Sequence, residues 1–192
     1  MKLTYQQFLK REIDLAPLGF ERRQVICAYF CTPKGARILG ASGADGVHFC
    51  FVRGFGETVF AVSPMNAPGE YVHPVAKTFR DFLRLLLAYH DAAAIEQAWQ
   101  WNAAQLEDFE QKHPSDEAQR EALHQIRTAF HLRPMAEPWK YIHTVQTGFA
   151  YEKLRFCEAY YDLVGKTDAQ KAPWQVFFAG GFQGGTGKPG TE

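Results

Sequence analysis

The stretch GADGVHFCFVRGFGETVFAVSPMN, residues 43–66, decides the fold. Val47, Phe49 and Phe51 alternate with His48, Cys50 and Val52, and further on Val59 and Ala61 alternate with Phe60 and Val62. Alternation of β-branched and aromatic residues with period two predicts two strands. Between them lies RGFGE, residues 53–57, whose two glycines can take positive φ. The segment 47–62 is therefore expected to be an antiparallel hairpin. Asp45-Gly46 marks the turn that leads in. Both faces of the first strand are apolar, which predicts a strand packed between two layers.

Upstream, Thr4 and Gln7 have the spacing of a capping box, predicting a short helix near 5–13. APLGF (16–20) is a breaker, and ARILG (36–40) reads as a short strand. VICAYFCT (25–32) is apolar throughout and too short for its period to separate a buried strand from a helix segment.

Downstream, SPMNAPGEYVHP is punctuated by Pro and Gly and reads as a loop. Thr78 caps a helix whose Phe79, Phe82, Leu83 and Leu86 recur at helical spacing. Asp91 caps a second helix with Ile95, Ala98 and Trp99, and Asn102 with Gln105 opens a third that carries Leu106 and Phe109. Ser115 precedes a fourth with Leu123, Ile126 and Phe130, so a helical block is expected over about 78–131. Pro138 suits the first position of a further helix ending near Gly148. YEKLRF (151–156) and WQVFF (174–178) read as strands, and the Gly-rich tail 179–192 is expected to be mobile. A hairpin followed by a block of helices lacks strict β-α-β alternation, so the class expected is α+β. One domain over 1–178 accounts for the chain.

At 192 residues with 46% hydrophobic content the chain can bury a full core. The 21 basic residues balance 21 acidic ones, which argues against a general nucleic-acid binder. The balance is uneven: residues 1–60 carry 8 Lys/Arg against 5 Asp/Glu, whereas 91–121 carry 2 against 8. The acidic segment is either a solvated helix face or a surface for a basic partner. Cys27, Cys31, Cys50 and Cys157 include no C-x-x-C pair and read as small buried residues of a reducing compartment. Without an apolar N-terminal run or a membrane-length segment, a soluble cytoplasmic protein is expected, with no membrane partner.

Catalytic and ligand motifs are weak. GGTGKPG in the tail resembles a phosphate loop, but Phe182 stands where the first Gly is needed and Pro189 at the Ser/Thr position. The seven histidines form no H-E-x-x-H or H-x-H pair, so no metal is expected. His48 and Cys50 share a strand face and are the sharpest nucleophile pair, but they sit in an apolar strand without an orienting third group. Glu107-Asp108 and Asp116-Glu117 are adjacent on helices and point about 100° apart, so they do not converge on one substrate atom. No catalytic residue and no cofactor is assigned.

The order Asp45-Gly46, hairpin 47–62, VSPMN, PGEYVHPVA and then Phe79 with Phe82-Leu83 resembles the SUKH superfamily. That superfamily includes bacterial toxin-immunity proteins and fungal regulators of cell-wall glucan synthesis. The resemblance covers about a third of the chain. It implies a curved, mainly antiparallel sheet packed against helices, and a non-enzymatic domain that binds a protein partner, such as a toxin domain. Expected partner-binding residues are Arg53, Phe55 and Glu57 of the hairpin turn, Tyr71 and His73 of the following loop, and Glu107 and Asp108 of the acidic segment. Phe55 is an interface anchor, or it folds back onto the sheet. Two other readings stand beside immunity. One is a regulatory or scaffolding module. The other is a small-ligand binder or enzyme that uses the 68–74 loop with His48 or His73.

Overall fold

The computed structural model describes residues 3–22 and 28–165. Its four strands pair in chain order, β1 (Ala36–Ala41), β2 (His48–Val52), β3 (Val59–Val62) and β4 (Val72–Ala76), every neighbour antiparallel. The predicted hairpin is β2–β3, with Cys50 opposite Phe60 and His48 opposite Val62.

Alternation sends Phe49, Val59 and Ala61 to one face of the sheet, into the main core. Cys50, Val52, Phe60 and Val62 point to the other face, into a second core with Leu154, Phe156 and Tyr160. The sheet is thus covered on both sides, which is why β2 and β3 are apolar at almost every position. Phe49 and Phe60 are fully buried, on opposite faces. Burial of such a side chain contributes about 1.5–3 kcal/mol.

Strand β4 corrects the reading of residues 63–74 as loop throughout. Its Pro74 lies opposite Phe60 and has no N–H to give. The position is tolerated because β4 is an edge strand.

The helices follow their local signals. In α1 (Tyr5–Leu9) Thr4 and Gln7 form the capping box in both directions. The Thr78 hydroxyl accepts from the Asp81 amide at the start of α2 (Phe79–Tyr89), which lays Phe79, Phe82, Leu83 and Leu86 against the sheet core. Asp91 caps α3 (Ala92–Gln97), and Asn102 with Gln105 caps α4 (Ala103–Lys112). α5 (Glu117–Phe130) is capped by Asp116 with Gln119, one residue after Ser115. Each such cap contributes about 1 kcal/mol. Pro138 opens α6 (Pro138–Thr147), which ends at Gly148. α2 to α5 form the helical block expected over 78–131. Helices on an antiparallel meander make the class α+β.

Residues 151–156 are not a strand. Tyr151–Lys153 is a single 3-10 turn, and the chain then runs outside any strand to α7 (Glu158–Val164), with the Arg155 carbonyl accepting from the Lys34 N–H at 2.7 Å. Leu154 and Phe156 are buried in the second core, so their apolar spacing serves packing without sheet pairing. Of VICAYFCT, residues 28–32 form a loop and turn with Cys31 fully buried, and 25–27 lie outside the described residues. The strand expected at 174–178 and the tail 179–192 also lie outside them. No helix among the described residues is long and apolar enough to cross a membrane.

Candidate functional site

The hairpin turn places Arg53 in solvent. Phe55 folds back: its ring lies 5.7 Å from Phe60 and 5.3 Å from Phe149, centroid to centroid, and it belongs to the second core. Glu57 is half-buried beside it. Of the turn, Arg53 is the side chain presented freely.

Tyr71 is 5% exposed, edge-on to Phe30 at 5.1 Å and to Tyr160 at 5.9 Å. Its place is the wall of the second core. His73, in β4, stacks on Trp99 just beyond α3. Its Nε2 lies 3.0 Å from the Glu70 carbonyl oxygen, which only accepts, so Nε2 carries the proton. Burial pushes the His73 pKa down to about 4, against the smaller upward pull of that carbonyl. The imidazole is therefore neutral near pH 7.

Beside this stack lies a polar group without a local sequence signal. Glu96 of α3 is 3% exposed, and its carboxylate accepts from the Ser63 hydroxyl and the Gln97 side-chain amide. Burial raises its pKa, and the bonds from Ser63, Gln97 and Asn66 act in the opposite direction. Ser63 also binds β4 through its backbone, its N–H donating to the Tyr71 carbonyl at 2.8 Å. The group ties α3 to the ends of β3 and β4. The charge count grouped Glu96 with the other acidic residues of 91–121, expected as a solvated face or a partner surface, and so hid this buried member.

His48 and Cys50 do not form a nucleophile pair. His48 Nδ1 is 2.8 Å from the Gly46 carbonyl oxygen, so Nδ1 holds the proton and Nε2 accepts from the Thr32 hydroxyl at 3.0 Å. Thr32 Oγ1 in turn accepts from the Tyr29 N–H at 2.8 Å. This chain of bonds ties the 29–32 turn to the Asp45-Gly46 turn. Burial lowers the His48 pKa, opposed by the Gly46 carbonyl. Cys50 is fully buried, and burial pushes its thiol up to about 12, so it stays protonated and unreactive. Burial likewise pushes Cys31 up to about 11. Among the described residues no group of three or more His, Cys, Asp or Glu converges in a geometry that could hold a metal ion.

Glu107 and Asp108 are exposed on α4. Asp108 accepts from Lys112 at 2.7 Å, an open pair worth about 0–1 kcal/mol. Glu107 lines a cleft of about 630 Å³ between α4 and the residues that open α6, with His90, Arg127, Trp139 and Lys140 around it. α4 buries Leu106 and leans on Trp101 through Phe109, whose ring lies 5.3 Å away. Asp116, Glu117 and Glu121 continue the exposed acidic surface into α5. The structure thus separates the expected site residues into an acidic face with Glu107 and Asp108, a solvent-exposed Arg53, and the packed Phe55, Tyr71 and His73.

No family model, no curated protein and no solved structure matches this chain.

Proposed function

We propose that the chain is a non-enzymatic protein-binding domain of the SUKH type that neutralises a bacterial toxin by covering it with the acidic α4–α5 face. The observation that carries this reading is α4. Around its buried Leu106 it turns Glu107 and Asp108 to solvent, and Asp116 and Glu117 are exposed where α5 begins. A helix so polar contributes little to the core and is suited to meeting a complementary surface. A basic partner gains complementary potential there, which raises its association rate and excludes acidic competitors. The protonated, enclosed Cys50 and the fully engaged His48 remove the best nucleophile pair, in line with a binding role. The arrangement of Asp45-Gly46, β2–β3 and the Phe79–Phe82–Leu83 helix supports the family resemblance.

Pull-down of the tagged protein from its native cells, with the bound proteins identified by mass spectrometry, tests the reading. One stoichiometric partner with a toxic activity that this chain suppresses on co-expression is the expected result. An envelope-synthesis partner would replace immunity with the regulatory role.

A further inference from the structure

We propose that the cleft between α1 and the C-terminal end of α5 binds a small amphipathic anion, an acidic head on an apolar body. The cleft has a volume of about 580 Å³. That is within the roughly 300–1,000 Å³ of sites for small organic ligands. Leu3 and Phe130 supply apolar lining, and Lys10 and Arg11 just past α1, with Arg80 of α2, bring three cations. No carboxylate lines the cleft, and none of the three cations forms an ion pair among the described residues.

Helix electrostatics does not account for this charge. The C-terminal end of α5 carries a partial charge of about −0.5, far less than three cations supply. Arg80 also stands in the first turn of α2, where a cation opposes the helix dipole. An anionic head answers both imbalances. The guanidinium forks of Arg11 and Arg80 match two oxygens of a carboxylate or phosphate. Gln7 spends its Oε1 on the Thr4 N–H at 2.9 Å and keeps its amide nitrogen as a donor. The apolar body lies along Leu3 and Phe130, with the methylene stems of the cations beside it. Asp116 and Glu117, at the opposite end of α5, lie about 20 Å away at 1.5 Å per residue, and neither Glu107 nor Asp108 lines this cleft, so the site stands independently of the toxin-binding reading.

The test is an NMR titration of the full chain with octyl phosphate, inorganic phosphate and 1-octanol. Octyl phosphate is expected to bind saturably and to shift the amides of Gln7, Arg11, Arg80 and His131. Each half alone should bind at least about tenfold more weakly, because head and body each contribute. Arg80→Gln and Lys10→Gln should each weaken octyl phosphate about fivefold or more at unchanged thermal midpoint, as charge-assisted hydrogen bonds are lost. Glu107→Lys with Asp108→Lys should leave its affinity unchanged. Unsaturable binding, shifts centred elsewhere, or wild-type affinity in both the Arg80 and Lys10 variants would overturn the site. Co-sedimentation with phosphatidylglycerol vesicles would overturn the small soluble ligand and assign the cations to a membrane surface.

Discussion

His73 lies flat against Trp99, with ring centroids 4.4 Å apart and planes 7° from parallel. The stack joins the edge strand to the end of α3 and turns a loop-like sequence into a fixed part of the sheet. His73 lines neither of the two clefts described above. The 68–74 segment is built for packing, which weighs against a small-ligand site centred on His73.

The stack predicts a pH dependence with a definite sign. His73 is pushed down to about 4 in the folded chain, below the ordinary value of about 6.5. As pH falls from about 6.5 toward 4, the unfolded chain binds a proton that the folded chain refuses, so stability falls in that window and is flat above it. The loss is at most about 3 kcal/mol, and attraction of a protonated imidazole to the indole face reduces it. Burial of His48 acts in the same direction, and that of Glu96 in the opposite one. His73→Gln should therefore flatten only part of the slope in urea titrations between pH 4 and 7. A His73 ring resonance titrating near pH 6.5 in the native state would refute the buried placement.

Ser63→Ala should cost about 2 kcal/mol, because it removes a donor from the buried Glu96 carboxylate. Urea unfolding should show a lower midpoint at unchanged slope. A loss below about 0.5 kcal/mol would mean that Glu96 is not held as described.

Gly46→Ala separates space from backbone. Gly46 has φ +72°, and an added Cβ would lie 2.5 Å from the Tyr29 ring. Gly56 has φ +64° and open space around it. Gly56→Ala should cost the backbone part alone, about 1–2 kcal/mol. Gly46→Ala should cost more, since Tyr29 and the Thr32–His48 bond must shift. Equal losses would contradict the packing of the 29–32 turn on Asp45-Gly46.

Cys50 should resist thiol reagents in the native protein at pH 8, because burial keeps it protonated. Peptide mapping after alkylation checks this residue directly. Rapid native labelling of Cys50 would reopen the nucleophile reading.

The helix starts were legible because each rests on residues close in sequence: Thr4 with Gln7, Asn102 with Gln105, and Pro138 at the first helical position. The β2–β3 hairpin was legible for the same reason, since both strands and their turn are contiguous. Strand β4 was hidden because its pairing with β3 is set by register and Pro74 reads as a breaker; its edge position makes Pro74 acceptable. Residues 151–156 misled in the opposite way, because apolar spacing at Leu154 and Phe156 specifies burial without saying that a neighbouring strand is free. The burial of Glu96 depends on Ser63, 33 residues away, and α3 carries no mark of it. Glu107 and Asp108 were legible as exposed because α4 has few apolar positions to bury.

The most direct measurement is protection of cells that co-express the captured toxin with wild-type protein or with the Glu107→Lys, Asp108→Lys double variant. Both side chains are exposed, so the variant should keep its thermal midpoint. The account predicts that wild type binds one-to-one and protects, while the variant folds normally, binds at least about tenfold more weakly and fails to protect. Full protection by the folded variant would contradict the acidic face as the toxin-binding surface, and failure of the wild type to protect would contradict immunity itself.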